Sequence, residues 1–316
     1  MPSPLRPALA VLIAFHFGLA SLPAQTPPPA PITVPTPPPM PKRAIAPTPT
    51  PPPGTTIVLT DRGTNFTLFL PESAAKNSST NTRITAHFHT VPWFAIQEHL
   101  RRGLREPLLI FALGEGSTAY RVPFEDRERF ARILQLTEAE LVKQGAPREA
   151  KITSVDVTSF SAGYGAVREL LQTPQYFALL RRLILCDSIY GGLAPTTTGQ
   201  RRVAPEHVAA WVPFAQAAAR GEKTFVLTHS AIATARYASS GEVAIALLET
   251  LGIPRVPVAP GAIPAAADRD FPLCFRADRA GLHVWSYAGD DAPAHLTHVR
   301  HLADVWLALD AAEARQ

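Results

Sequence analysis

Two cysteines in 316 residues are too few for a disulfide scaffold or a cysteine-based zinc module. Charged side chains make up only 18% of the chain, and the net charge of +4 comes from Arg spread along its length. No basic block interleaved with aromatics occurs, which argues against a nucleic-acid partner. The N-terminal apolar run, residues 8–20, has 13 residues and is too short to cross a bilayer comfortably, so stable membrane insertion is not expected. Apolar residues amount to 46%, with 15 Phe, and exclude a wholly disordered chain.

Proline is plentiful but badly distributed: 15 of the 33 lie between Pro23 and Pro53. That stretch, mixed with Thr and Ala, cannot repay the entropy of packing and reads as an extended spacer over residues 25–54. Before it, one Arg, the apolar run and the small residues Ser21 to Ala24 read as a signal peptide over residues 1–24, cleaved after Ala24 or Ala20. No Cys lies nearby to be lipidated. The expectation is an exported protein, periplasmic or extracellular in a bacterium, with one domain over residues 55–316.

Within that domain, β-rich runs alternate with helical patterns. Strands are expected at 56–60, 66–70, 84–89, 108–113, 154–160, 183–187, 224–228 and 282–287, the first two joined by a hairpin turn at Asp61-Arg62-Gly63. Helical periodicity covers 124–143, 162–172, 206–220, 241–251 and 295–309. Eight strands with an antiparallel start and repeated βα units imply an α/β protein, with a mostly parallel sheet and helices on both faces. A (β/α)8 barrel would need a helix after each early strand.

The most informative segment is Ser159-Phe160-Ser161-Ala162-Gly163. The β-formers Val155 to Thr158 lead into it, and AVRELLQ follows with helical character. Small residues two positions either side of Ser161 suit a sharp strand-to-helix turn with strained backbone angles. The bland alternative is that Ser161 caps the following helix. The segment resembles the nucleophile elbow of the α/β-hydrolase superfamily, with Ser159 where the first Gly usually stands. This resemblance covers residues 84–309 and implies an eight-stranded α/β-hydrolase fold with a Ser-His-Asp triad in the chain order Ser, acid, His.

Three histidines compete for the base. If Val299, Leu302, Trp306 and Leu309 form an inward stripe, helix phase puts His295 near its middle, His298 at its edge and His301 on the solvent side. Asp291 is expected to cap the helix, with Pro293 in its first turn. His295 is therefore the expected base and His298 the reserve. For the acid, the resemblance implies the end of the sixth or seventh strand: Asp187 stands where the sixth becomes a loop, and Glu242 is the reserve beyond the seventh.

The resemblance further implies oxyanion donors at the Ala162 N–H and in the loop after the third strand, at Thr90. It implies a small-molecule ester or acyl substrate and no cofactor. Two other readings stay open. His87 and His89 lie two apart on a strand, as metal ligands can, with His229 or Asp291 as possible additions. A non-catalytic binding protein of the same fold is the third class. Leu113-Gly114-Glu115-Gly116 lacks the third glycine of a dinucleotide fingerprint and reads as a strand-end turn. Cys186 and Cys274 could pair in an oxidising compartment.

Overall fold

The computed structural model describes residues 53–72, 74, 80–103, 105–195, 200–258 and 272–313. The expected signal peptide and nearly all of the spacer lie outside the described residues.

Ten strands form a single sheet: β1 (Gly54–Asp61), β2 (Thr64–Pro71), β3 (Asn81–Phe88), β4 (Leu108–Phe111), β5 (Lys151–Phe160), β6 (Leu180–Cys186), β7 (Thr224–His229), β8 (Val256–Pro257), β9 (Leu273–Arg279) and β10 (Leu282–Tyr287). Their order across the sheet is β1-β2-β4-β3-β5-β6-β7-β10-β9-β8. From β4 to β10 every pairing is parallel, and both margins are antiparallel. The helices are α1 (Pro92–Arg101), α2 (Ser117–Phe124), α3 (Arg129–Lys143), α4 (Tyr164–Leu171), α5 (Pro174–Leu179), α6 (Pro205–Ala209), α7 (Val212–Ala219), α8 (Ser240–Leu251), α9 (Ala292–Arg300) and α10 (Leu302–Glu313).

All eight expected strands are present. The hairpin turn is built by Arg62 and Gly63, both at positive φ (46° and 78°), between the paired residues Asp61 and Thr64. That is the two-residue geometry whose twist matches the flanking strands. The two additional strands correct the expected count. β9 is a half-exposed margin strand in which Arg276, Asp278 and Arg279 dilute the apolar signal, and β8 has two residues.

Parallel strands buried on both faces read as continuous apolar runs. In β6, Leu183 and Leu185 join one core while Ile184 and Cys186 join the other. The larger core packs α2, α3, α4, α7 and α8 against the sheet through Phe124, Phe130, Val167, Phe214 and Leu247. On the other face α9 and α10 contribute Val299, Leu302, Val305, Trp306 and Leu309, and α1 adds Ala95 and Ile96 over Leu108 and Ile110. Helices therefore cover both faces. This layering and strand order are those of the α/β-hydrolase fold.

Four helical expectations need correction. The pattern at 124–143 is two elements, because Phe124 closes α2 and α3 begins at Arg129. The pattern at 206–220 is broken into α6 and α7, with Pro213 in the first turn of α7. The pattern at 295–309 breaks at His301, which leaves helical geometry at φ −108°, ψ 17°. His301 does not face solvent: it is 2% exposed, and its Nδ1 lies 2.6 Å from Asp304 Oδ2. The break restarts the helical phase, so a stripe extrapolated through it misplaces His301.

Cys186 and Cys274 are free thiols. They stand on β6 and β9, with β7 and β10 between them. Three strand spacings separate them by roughly 14 Å, about twice the Cα separation a disulfide can bridge.

The C-terminal helix is fastened electrostatically as well as by its apolar stripe. Asp310 accepts from Arg102 at 3.1–3.2 Å and from Arg182 at 3.1 Å, while the Arg102 guanidinium lies 3.5 Å over the Trp306 ring. Both arginine side chains are nearly buried, at 5% and 6% exposure, but Asp310 is 42% exposed. Replacing the carboxylate takes a charged acceptor from two buried guanidinium groups, a loss discounted by the solvent around Asp310. Asp310→Asn is expected to lower unfolding free energy by about 1–2 kcal/mol in urea titration with an unchanged m-value. A midpoint identical to that of the wild type would show that the clamp contributes nothing.

Candidate active site

β5 delivers Phe160 in extended geometry (φ −118°, ψ 141°), and the next residue, Ser161, takes φ +46°. Left-handed backbone is costly for a residue with a Cβ and persists only where the surroundings over-determine it. Here a 3₁₀ turn, Ser161–Gly163, follows at once and feeds α4. A Cβ on Gly163 would stand 2.6 Å from both Phe88 O and Ser159 Oγ, so the reversal admits only glycine there. Neither the turn nor α4 has a side-chain cap, which removes the helix-cap explanation of Ser161.

Asp187 follows β6, also at positive φ (+44°), with its N–H held by Thr228 O at 2.8 Å. His295 sits in the first turn of α9, after the N-cap Asp291, whose side chain accepts from Ala294 N at 2.9 Å. The two residues meet: His295 Nδ1 and Asp187 Oδ2 are 2.6 Å apart. A carboxylate only accepts, so Nδ1 carries the proton and Nε2 is left as the basic nitrogen. Burial alone would raise the Asp187 pKa. The bond from His295 reverses that, with smaller help from the adjacent imidazoles and the Ser240 hydroxyl, and holds the carboxyl below its usual range.

The Phe160 ring, one residue before Ser161, stacks on the His295 imidazole at 4.5 Å, and His89 stacks on Phe160 at 5.8 Å. Tyr190 presents its edge to His295 at 6.5 Å and continues to Tyr164 and Tyr237. Among the described residues no hydrogen bond joins Ser161 Oγ to His295. Such bonds are often long in ligand-free enzymes and tighten with substrate.

The reserve residues are engaged elsewhere. Glu242 closes a capping box with Ser239 at the start of α8 and pairs with Arg201, whose hydrogen bond keeps its pKa low. His298 is fully buried, with Nδ1 at 2.9 Å from Thr228 Oγ1 and Nε2 at 2.6 Å from Ser230 Oγ, and burial pushes its pKa down to about 3.

His87 and His89 do not form a ligand pair. His87 is 1% exposed, with Nδ1 against Thr158 Oγ1 (2.7 Å) and Nε2 against Thr90 Oγ1 (3.0 Å), so both nitrogens are committed. Burial lowers its pKa to about 3, helped by His89 and His99. His89 has left the strand at φ +67°, and its Nδ1 lies 3.1 Å from Gly114 O and 2.9 Å from Tyr120 Oη. His229 binds Ser286 and the Ser230 carbonyl, and Asp291 caps α9. Among the described residues no group of three His, Cys, Asp or Glu is arranged to hold a metal. The Thr90–His87–Thr158 link instead ties the loop after β3 to β5, the strand that leads into Ser161. Trp93 and Phe94 lie in the first turn of α1, and Tyr120 is fully buried in α2.

Sequence reasoning missed Ser188, Ser240, Phe160 and Tyr190. Ser188 and Tyr190 follow Asp187 within three positions, and Phe160 lies inside the elbow pentapeptide, so proximity to the named residues was the only available signal.

No protein-family model and no curated protein matches the chain. Among solved structures it is similar to an uncharacterised protein from Capnocytophaga ochracea, at 9% identity and TM-score 0.45 over 80% of this chain. The chain spans 63% of that protein's length. It is also similar to Est1E from Butyrivibrio proteoclasticus, at 9% identity and TM-score 0.40, covering 81% of this chain and 99% of that one. An S-formylglutathione hydrolase from Agrobacterium tumefaciens gives 10% identity and TM-score 0.41, covering 80% and 93%. The chain has the α/β-hydrolase fold, as its own strand order and elbow define it.

The buried neutral imidazoles fix a pH dependence. His87, His99 and His298 are pushed to about 3, 4 and 3 by burial, from an ordinary value near 6.5. Between those limits the unfolded chain binds protons that the folded chain refuses, so stability falls as pH drops from 6.5 toward 4. Each imidazole contributes at most about 1.4 kcal/mol per pH unit. Asp187, held low, loses stability in the same direction below the usual carboxylate range. Chemical denaturation at pH 7.5, 6 and 4.5 is expected to show this decline, with a shallower slope for His298→Gln. Equal stability at all three pH values would contradict it.

Proposed function

We propose that this chain is a serine hydrolase that cleaves a small-molecule ester or related acyl bond. The single observation that carries the reading is the 2.6 Å bond from His295 to Asp187, stacked through Phe160 beside a serine at φ +46°. An apolar run at residues 8–20, followed by small residues and a Pro-rich stretch, supports export to the periplasm or beyond.

In this reading His295 Nε2 takes the Ser161 hydroxyl proton as Oγ attacks the substrate carbonyl. The carbonyl oxygen becomes an oxyanion held by the Ala162 N–H, with the loop at Thr90 as the source of the second donor. The imidazolium returns the proton to the leaving alcohol as the C–O bond breaks, giving an acyl-enzyme. Water, deprotonated by Nε2, then attacks the acyl carbon, and Ser161 leaves as the restored hydroxyl. Asp187 stays ionised throughout, fixing the imidazole tautomer and stabilising its charged form. Side chains and water complete the cycle.

Ser161→Ala and His295→Ala are each expected to reduce turnover of p-nitrophenyl acetate by about 10³-fold or more, with the double variant scarcely worse than either. Asp187→Asn is expected to cost heavily through the wrong tautomer while the melt stays cooperative. Near-normal turnover in all of these variants would refute the triad, and a folded wild type inert toward a panel of esters would leave a non-catalytic binding protein.

A further inference from the structure

We infer that Ser188 is a positioning residue that aims the Ala162 N–H at the oxyanion by gripping the far side of the same peptide group. This inference rests on the serine-hydrolase reading above and concerns a residue to which that reading gives no role.

Ser188 follows Asp187 and is fully buried, as is Ser159 within 1%. Ser188 Oγ lies 2.8 Å from Ser161 O and 2.7 Å from Ser159 Oγ. The carbonyl can only accept, so the single Ser188 hydroxyl proton is spent on Ser161 O. Ser159 must therefore donate to Ser188. The result is a one-way chain: Ser159 hydroxyl to Ser188 hydroxyl to Ser161 carbonyl.

Ser161 O and the Ala162 N–H belong to one planar trans peptide and point in opposite directions. Whatever fixes the carbonyl fixes the direction of the N–H. The Tyr164 N–H also reaches Ser161 O from the 3₁₀ turn, so the carbonyl is held by one backbone and one side-chain donor. Hydrogen bonds in series polarise one another in a low-dielectric interior, and a polarised carbonyl makes its own N–H a better donor. The departure from glycine at position 159 thus has a use, because the Ser159 hydroxyl orients and strengthens the Ser188 bond. The positive φ of Asp187 turns successive side chains apart, so residue 187 serves the imidazole and residue 188 serves the elbow.

The test compares wild type, S188A, S188T and S159A with three readouts: labelling by a fluorophosphonate probe, p-nitrophenyl acetate kinetics, and inhibition by phenylboronic acid, whose tetrahedral adduct places an oxygen at the oxyanion position. A misaimed donor should cost less than a deleted one, so S188A is expected to lower kcat about tenfold with KM changed less than about twofold. Boronate inhibition should weaken by the same factor, and S188T should restore most of both. S159A should move both readouts the same way by about threefold, and it carries the test alone if S188A does not melt cooperatively. A kcat and boronate inhibition within about twofold of wild type in the folded variants would overturn the inference, as would a loss of kcat with boronate inhibition unchanged. A folded wild type that neither labels nor hydrolyses overturns the serine-hydrolase reading, and this inference with it.

Discussion

The reversal of the chain at Ser161 governs everything around it. A residue with a side chain is held at φ +46° between a strand and a helix, in a conformation that only dense surroundings can maintain. Those surroundings are specific. Gly163 lets the turn press against the backbone at Phe88 and the hydroxyl of Ser159, and the Ser188 hydroxyl holds the Ser161 carbonyl from the β6 side. Phe160 fills the space between the His89 and His295 rings. Strain at one residue is thus sustained by packing from β3, β5, β6 and α9 together.

Around that turn the fold stations uncharged imidazoles bonded to hydroxyls rather than ion pairs. His87 bridges Thr90 and Thr158, His298 bridges Thr228 and Ser230, and His229 pairs with Ser286. A neutral imidazole offers one donor and one acceptor, so it can cross-link two loops without the desolvation cost of a buried charge. Asp187 is the exception, a buried carboxylate kept ionised by His295 and Ser240. Elsewhere buried charge is paired, as Asp156 is with Arg181 and Arg182 with Asp310.

Much of this was readable in the residues, for identifiable reasons. The six strands from β4 to β10 across the sheet announced themselves because parallel strands buried on both faces are continuous apolar runs, and β1 and β2 because a two-residue turn signal joins them. The elbow did so because its crowding forbids bulk at positions 159 and 163. That Asp187 and His295 lie close was expected only through the resemblance of the elbow to the α/β-hydrolase superfamily, which implies an acid after the sixth or seventh strand and a base after the last. What escaped depended on interruptions. α1 begins at a Pro followed by two aromatics, and α2 contains Pro123, so neither shows a clean helical period. The break at His301 reset the phase of α10 and carried His301 into the interior beside Asp304. β9 alternates charge along a margin strand and has half a core to declare it. The hydroxyl partners Ser188 and Ser240 carry no sequence period, because a single hydrogen bond to a distant element sets no pattern along the chain.

If the chain is a serine hydrolase, Ser161 is its activated nucleophile. Intact-mass and peptide-mapping analysis after treatment with a fluorophosphonate is the most direct test. One adduct per chain is expected, located on Ser161, with labelling suppressed in His295→Ala. An adduct on another residue, or a folded protein that takes up none under conditions where it hydrolyses an ester, would contradict it.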